Sequence, residues 1–256
     1  MDAIMIFKRK RRNIPFFVII SPPRCRSSYV DNLLRTHPDV ICHSEIFFQD
    51  HPIVELPDVP KNDLLFDLNW RDSNPREFIE RVLLKSHEQA PHARMMGCKL
   101  LLFPYQMNRG LDALLSFKPQ VIYLSRKNEL AWYSSLKIAI ETGVWYTEKH
   151  LDSQHKVTFN KSDFQYHLDG RILYDNHALH KFQLHKIRYL SVEYESLSQA
   201  STITSILQFL NLPAAVMTSN VVEQNTRNIL DRFVNREEVI AYAASIGKMA
   251  WIEHAN

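Results

Sequence analysis

Arginine and hydroxyl side chains stand together where an apolar stretch of this sequence gives way to a predicted helix. Residues 21–28 read SPPRCRSS and follow the apolar run IPFFVII. A helix N-terminus presents unpaired N–H groups and the positive end of the helix dipole, so a turn of this kind can bind an anion. Arg24 adds a charged fork, and the hydroxyls of Ser27 and Ser28 can donate to phosphate oxygens. The turn is predicted to hold a phosphate-like group; the alternative is an ordinary turn in which Ser27 only caps the helix.

A second turn of the same form follows a later apolar stretch. Residues 121–125 read VIYLS, and Arg126 comes directly after them. Arg126 can pair with a phosphate, and Ser134, eight residues on, can reach the same phosphate if the backbone turns back toward it. Lys127 and Ser135 have the same spacing, so the sequence leaves two registers open.

Glu45 is the candidate for acid–base chemistry. It follows a short predicted strand, residues 40–43, and open α/β sheets place ligands and catalytic groups beyond the carboxyl ends of their strands. A carboxylate there can take the proton from an attacking hydroxyl group. A solvated charge at the strand end is the alternative for Glu45. His43 is a weaker candidate base, and we expect it to be a partly buried polar residue instead.

Arg24, Arg126 and Glu45 can lie in one site only if the ends of their strands are side by side, as they are in a parallel sheet. The order of the predicted elements indicates such a sheet. Strands and helices alternate, which predicts a single-domain α/β fold with a P-loop-like, doubly wound parallel sheet and helices on its faces. Between these elements, residues 52–75 are predicted to be an irregular insertion and residues 144–170 a loop on the substrate side. The strands are predicted at residues 15–21, 40–43, 95–103, 120–125 and 187–192, and the helices at residues 27–36, 75–89, 128–142, 171–185 and 197–210.

Length and charge bound the rest of the organisation. A chain of 256 residues has room for one such domain, which we predict over residues 14–256. The basic run KRKRR lies at the end of residues 1–13, which we predict to be a solvated arm, with contact to an anionic membrane surface as the alternative. The formal net charge of +3 is too small to argue for a nucleic-acid partner.

The cysteines and histidines favour neither disulfides nor a metal site. There are three cysteines and no C-x-x-C pair, which predicts reduced thiols and a cytoplasmic location. His177 and His180 share a helical face, but no carboxylate or thiolate joins them at ligand spacing. We therefore predict that these histidines belong to a solvated helix face.

The first turn resembles the nucleotide loop of the sulfotransferases that use 3′-phosphoadenosine 5′-phosphosulfate (PAPS). Residues 23–28 match that loop, which reads P-R-S-G-S followed by serine or threonine, at the proline, the arginine and both hydroxyl positions. Cys25 stands where serine is usual, and Arg26 stands where glycine is usual, which matters if the position needs a positive φ. The resemblance implies that PAPS is the co-substrate, that no metal is required, and that residues 24–28 bind the 5′-phosphosulfate, with Arg24 also catalytic.

Three further blocks resemble bacterial carbohydrate sulfotransferases that act on trehalose or nodulation-factor sugars. Residues 37–47 look like their H-P-x-V…E-x-F stretch, in which the glutamate is the general base, and this implies that role for Glu45. Arg126 and the serine eight residues on are similar to a second family signature, which holds the 3′-phosphate. Residues 135–145 resemble the run S-L-x-x-A-x-x-T-G-x-W, and Trp145 at its end is our candidate for lining the acceptor site.

Two weaker resemblances concern the third strand and the C-terminal part. Residues 97–99, GCK, are similar to a G-x-K-L element of several relatives, in which Lys99 would face the donor. A solvated strand lysine is the interpretation we favour there. Residues 224–238 look like the late loop that closes over the nucleotide, and Arg227 is our candidate for a third phosphate contact.

Together these resemblances imply an enzyme that transfers a sulfuryl group from PAPS to a hydroxyl acceptor, by analogy a carbohydrate or glycolipid. A nucleotide or sugar kinase of the P-loop type is one alternative, but the first turn lacks both glycines and the lysine of such enzymes. A nucleotide-binding scaffold without activity is another, supported by Cys25, Arg26 and the basic arm alone. The identity of the acceptor and the oligomeric state, including a homodimer, are left open.

Overall fold

The structure is a computed structural model that describes residues 15–147, 155–222, 225 and 228–253. The predicted basic arm lies outside these ranges, so its role and its boundary stay predictions. Within them, none of the helices combines the length and the apolar character that crossing a bilayer requires. The cytoplasmic location also stays a prediction.

The centre of the molecule is one sheet of five parallel strands. Their order across the sheet is β2-β3-β1-β4-β5, and every neighbouring pair is parallel. This confirms the predicted α/β class with a parallel sheet flanked by helices. The strands are β1 (Phe16–Ser21), β2 (Val40–Glu45), β3 (Met95–Leu101), β4 (Gln120–Ser125) and β5 (Tyr189–Glu193).

The bounds of one long helix have clear local causes. Asn128 caps this helix by accepting from the backbone N–H of Ala131 at 2.9 Å, and Gly143 ends it with a φ of 70°. Short 3₁₀ turns lie at Leu64–Phe66, Tyr194–Ser196 and Ile229–Arg232. The helices are α1 (Ser27–Arg35), α2 (Leu68–Ser73), α3 (Pro75–Gln89), α4 (Pro104–Gln106, then a π-helical turn at Met107–Leu111, then Asp112–Leu115), α5 (Glu129–Thr142), α6 (Lys161–Leu184), α7 (Ala200–Phe209), α8 (Arg236–Ser245) and α9 (Ala250–Glu253).

The central strand β1 contributes side chains to two hydrophobic cores, one on each face of the sheet. Its side chains alternate between faces, so Phe17 and Ile19 pack with α1, α5, α7 and α8, while Val18 and Ile20 pack with α3 and α4. A strand buried on both faces is expected to be mostly apolar, and β1 is apolar from Phe16 to Ile20 and ends at the buried Ser21. Gly97 of β3 lies opposite Phe17, and a Cβ there would come within 2.1 Å of the phenyl ring. The glycine therefore makes room for the central core.

Two segments that were predicted to lack regular structure contain helix. α6 begins at Lys161, ten residues before the predicted start, and Asn160 caps it by accepting from the N–H of Asp163 at 2.9 Å. Its buried apolar residues form one pair near each end, Phe164 with Leu168 and Ala178 with Phe182. Between the pairs the same face carries the charged residues Arg171 and Asp175, whose side chains are only 9% and 17% exposed, so the apolar period is interrupted. The predicted insertion at residues 52–75 likewise contains α2.

Candidate active site

A cleft of about 380 Å³ lies along the carboxyl edge of the sheet, where the loops of a parallel sheet meet. Each strand brings one polar group or turn to it. In spatial order these are Glu45 at the end of β2, Lys99 in β3, the turn of residues 22–28 after β1, Arg126 after β4 and Tyr194 after β5. The cleft thus has an acidic end at β2 and a cationic end at β4 and β5.

The turn after β1 adopts a backbone that suits glycine. Arg24 has a φ of 65° and Arg26 a φ of 62°, both in the left-handed region that side chains with a Cβ rarely adopt. The position of Arg26 therefore does need a positive φ, as its match to a glycine suggested. Left-handed residues in a turn direct backbone N–H groups into a concavity that binds anions. Ser27, the first residue of α1, lines the cleft beside this turn.

Three arginines converge on the cationic end, namely Arg24, Arg126 and Arg232. Burial, followed by the charge of Arg126, lowers the pKa of Arg24 and of Arg232 to about 10. Burial also lowers the pKa of Arg126, whose Nε is buried and has no hydrogen-bond partner among the described residues. Like charges this close are unfavourable unless a polyanion neutralises them. The arrangement is that of an anion site.

Each of the two registers predicted for the second turn has one residue at the cleft and one residue away from it. Arg126 lines the cleft, while the ammonium of Lys127 points to Glu193 at 2.7 Å and is largely exposed. Ser135 also lines the cleft, where its Oγ accepts from Nε of Arg24 at 2.9 Å. Arg126 and Ser135, one residue from each register, therefore both line the cleft.

Ser134, the serine expected to act with Arg126, lies one layer deeper. Its hydroxyl donates to the carbonyl of Ala131 at 3.2 Å and accepts from Nη1 of Arg232 at 3.5 Å. Ser134 is fully buried, so it supports Arg232 from behind. The sequence interpretation missed Arg232. Residues 229–234 read ILDRFV, so the only signal was a charged pair, Asp231 and Arg232, flanked on both sides by apolar residues.

At the acidic end, Lys99 connects the turn after β1 to Glu45. Its Nζ lies 3.0 Å from Asp31 Oδ2, 3.0 Å from Ser28 Oγ and 3.5 Å from Glu45 Oε1. Only 2% of Lys99 is exposed, so the favoured prediction of a solvated lysine was wrong. Burial lowers its pKa, but the two carboxylates outweigh burial and the net shift is upward. Lys99 is therefore a buried cation at neutral pH.

Glu45 keeps one carboxylate oxygen on the lysine and the other on an amide. Nε2 of Gln106, in α4, donates to Oε2 of Glu45 at 2.6 Å. The side chain lines the cleft and is 13% exposed, so it is accessible to a ligand yet held in place. Asp31 of α1 also lines the cleft, but both Lys99 and the hydroxyl of Ser44 contact its Oδ2.

His43, the rival base, is turned away from the cleft. Its Nδ1 accepts from the backbone N–H of Glu55 at 3.0 Å, so its Nε2 carries the proton and donates to Ser86 Oγ at 2.8 Å. Burial, followed by the charge of Arg35, lowers the pKa of His43 to about 3. A neutral, fully hydrogen-bonded imidazole cannot serve as the base here; it fixes the loop that carries Glu55 to the rim of the cleft.

We predict that His43 makes stability fall with acid. Its folded pKa lies below the ordinary value of 6.5, so the unfolded chain binds a proton first as pH falls from about 6.5 toward 3. The stabilisation is complete above that window and is lost within it, by up to about 1.4 kcal/mol per pH unit. His43→Asn keeps an acceptor for the N–H of Glu55. We expect this variant to be less stable in urea unfolding at pH 7.5, and its stability to depend less on pH between 6.5 and 4.5. Parallel pH curves for the two proteins would contradict this role.

The other residues predicted from the sequence lie in different parts of the structure. The side chain of Cys25 is buried in the core beneath the turn, and burial raises its pKa to about 12, so only its backbone is near the cleft. Trp145 lies at the rim, 42% exposed, and its carbonyl accepts from Nη1 of Arg24.

The predicted phosphate contact Arg227 lies outside the described residues. His177 and His180 are exposed on α6, as predicted. Among the described residues, no three histidine, cysteine or acidic side chains group as metal ligands.

Two known proteins are similar to this chain over most of its length. The chain is 23% identical to Nodulation protein H of Rhizobium tropici, over 83% of each protein. It is 24% identical to Nodulation protein H of Rhizobium meliloti (strain 1021), over 94% of this chain and 96% of that protein. The crystal structure of a sulfotransferase from Alicyclobacillus acidocaldarius aligns over 93% of this chain and 94% of its own, with 17% identity and a TM-score of 0.44. No model of a known protein family matches.

The two sequence matches confirm the resemblance that the motifs predicted, to sulfotransferases of the nodulation-factor type.

Proposed function

We propose that this chain, which resembles sulfotransferases of the nodulation-factor type, transfers a sulfuryl group from PAPS to a hydroxyl group of a carbohydrate or glycolipid. The proposal rests on one observation: a single cleft has a cationic end and an end with a carboxylate. One end is formed by the buried Arg126 and Arg232 and the half-buried Arg24, and burial, with neighbouring positive charge as a lesser cause, lowers the pKa of each. A carboxylate beside a buried lysine forms the other end. The first end suits a doubly phosphorylated nucleotide, and the second suits the activation of a hydroxyl group.

The charge distribution supports PAPS as the donor, because this nucleotide is anionic at both its 3′ and 5′ positions. The turn of residues 22–28 and Arg24 would hold the 5′-phosphosulfate. Arg126 and Arg232 would hold the 3′-phosphate, with Ser135 between the two groups. The negative charges of the nucleotide would offset the cost of placing these cations close together.

The transfer itself is an in-line displacement at sulfur. Glu45 takes the proton of the acceptor hydroxyl, whose oxygen forms a new bond to sulfur. The bond from sulfur to the bridging phosphate oxygen breaks, and adenosine 3′,5′-bisphosphate leaves with the electron pair. Lys99, 3.5 Å from Glu45 and 3.0 Å from Ser28, stands where it can stabilise charge on the leaving oxygen together with Arg24. Positioning and fixed charge supply the catalysis.

The rim of the cleft supports a carbohydrate acceptor. Trp145 and Tyr146 line it and are 42% and 63% exposed, and an aromatic face can stack on the apolar face of a sugar ring. Across from them, the guanidinium of Arg35 pairs with Glu55 at 2.9 Å, and both side chains line the cleft. A polyhydroxylated ring would find donors and acceptors there.

Nucleotide binding tests the donor half of the proposal. We expect adenosine 3′,5′-bisphosphate to bind in calorimetry and to raise Tm, with about 2.7 kcal/mol of stabilisation at a ligand concentration of 100 Kd. ATP with Mg²⁺ should give a much smaller shift, because the turn after β1 lacks the lysine of nucleotide kinases. Absence of bisphosphate binding, or a preference for ATP, would contradict the proposal.

Transfer of radiolabelled sulfate from PAPS tests the other half. The acceptors would be a panel of oligosaccharides and glycolipids, with the Glu45→Gln variant as the blank. We expect label on at least one carbohydrate with the wild-type protein alone. Bisphosphate binding without transfer to any acceptor would favour the inactive scaffold instead.

A further inference from the structure

Tyr194 joins two arginines at the cationic end of the cleft. The guanidinium carbon of Arg126 lies 3.9 Å from the centre of its ring, and that of Arg26 lies 4.5 Å from the same centre. All three side chains line the cleft. Tyr194 follows β5 and Arg26 belongs to the turn after β1, so the side chain of Arg26 reaches across the end of β4, which lies between those strands.

Arginine is an unfavourable residue at position 26 for the backbone alone. The residue is the N-cap of α1 with a φ of 62° and a ψ of 24°, and its side chain makes no capping hydrogen bond. Glycine or asparagine adopts this conformation at lower cost. The guanidinium is also a like charge close to Arg126, because both contact the ring of Tyr194. The backbone does not explain an arginine here, whereas an anion in the cleft that contacts both guanidiniums would.

We propose that Arg26 and Tyr194 form a selectivity element, in which Arg26 is a second cation beside Arg126 for the 3′-phosphate of the nucleotide. Tyr194 holds both guanidiniums against its ring by cation–π contact and so fixes their separation before the ligand arrives. The inference rests on the proposed function and adds to it a residue that distinguishes a 3′,5′-bisphosphate from a nucleotide with a 5′-phosphate only.

The direction of the side chain supports the 3′ end over the 5′ end. The 5′ end of the site is formed by the turn itself, with Ser28 bonded to Lys99 on the β3 side. Arg26 leans the opposite way, toward β5, where it contacts Tyr194. Arg26 is only partly buried, so a ligand in the cleft can reach its charge.

The test compares two nucleotides on three variants. Arg26→Asn removes the charge but tolerates the left-handed backbone, Arg26→Lys keeps the charge, and Tyr194→Leu removes the ring. Calorimetry with adenosine 3′,5′-bisphosphate and with adenosine 5′-phosphate in the same buffer gives the ratio of the two Kd values. We expect Arg26→Asn to weaken bisphosphate binding about tenfold and to leave 5′-phosphate binding nearly unchanged. Arg26→Lys and Tyr194→Leu should lie in between.

A stability measurement separates this role from a structural one. Because Arg26→Asn relieves the backbone, its Tm without ligand should be at least that of the wild type, while its bisphosphate affinity falls. If Arg26→Asn weakens the binding of both nucleotides equally, so that the ratio of their Kd values is unchanged, the selectivity element is overturned. The proposed function is not affected by that result. Failure of the wild-type protein to bind the bisphosphate overturns both.

Discussion

Glu45→Gln is expected to lower kcat for sulfuryl transfer by about 10²- to 10⁴-fold, the range for loss of a general base. The amide has almost the same shape as the carboxylate, and its oxygen can still accept from Gln106 as Oε2 of Glu45 does at 2.6 Å. It cannot take a proton from the acceptor. Affinity for adenosine 3′,5′-bisphosphate should therefore stay near the wild-type value, because Glu45 lies at the opposite end of the cleft from the arginines.

Asp31→Asn is the matched control for this prediction. Asp31 contacts the same lysine, at 3.0 Å against 3.5 Å for Glu45, and it is also a carboxylate at the edge of the cleft. Its Oδ2 contacts both Lys99 and Ser44, so Asp31 is suited to hold the lysine in position. We expect a smaller loss of kcat from Asp31→Asn, because the carboxylate that accepts the proton of the acceptor is still present. Near-normal turnover in Glu45→Gln would remove Glu45 from the role of base.

The sequence predicted those site residues that follow an apolar strand directly. Arg24, Glu45 and Arg126 each come at or just after the end of a strand, and a parallel sheet carries all such positions to one edge. The prediction needed only the local pattern and the direction of the strands. For the same reason β1 and β4 were placed within a residue of their observed bounds.

The residues that were missed depend on contacts distant in sequence. Lys99 was expected in solvent, because most lysines in strands are solvated, but β2 shifts register between Cys42 and Glu45 and so pairs Glu45 with Lys99. Gln106 reaches Glu45 from the helical segment after β3, which carried no predicted helix. Arg232 reaches the cleft from a 3₁₀ turn near the C-terminus. No local pattern encodes these approaches.

The choice between Ser134 and Ser135 shows a limit of spacing arguments. Neighbouring residues of a helix point about 100° apart, so an interval of eight residues from Arg126 or from Lys127 places a hydroxyl on either of two adjacent faces. The two serines differ in their partners: Arg24 reaches the face that carries Ser135, and Arg232 approaches the face that carries Ser134. Both partners are about a hundred residues away from these serines.

Arg24→Ala is expected to lower kcat by at least about 10²-fold, as does removal of a preorganised donor in other group-transfer sites. The guanidinium is oriented before any ligand binds, with Nε on Ser135 Oγ at 2.9 Å and Nη1 on the carbonyl of Trp145. Such a fork can contact a phosphosulfate without reorganising. Alanine also has a Cβ, so the strain at a φ of 65° is common to both residues and the change in rate reports on the side chain.

Arg24→Lys and Ser135→Ala define what the arginine contributes. Lysine keeps one charge but loses the planar fork, so we expect a part of the rate to return. Ser135→Ala removes the hydroxyl that orients Nε of Arg24, and it should lower kcat less than loss of the arginine. If Arg24 stabilises charge on the leaving phosphate, kcat and kcat/KM fall together in Arg24→Ala while bisphosphate affinity changes less. A raised KM with unchanged kcat would instead make Arg24 a residue that binds ground state and transition state equally. Charge stabilisation would then rest with Lys99, a cation that contacts Ser28 beside the turn after β1.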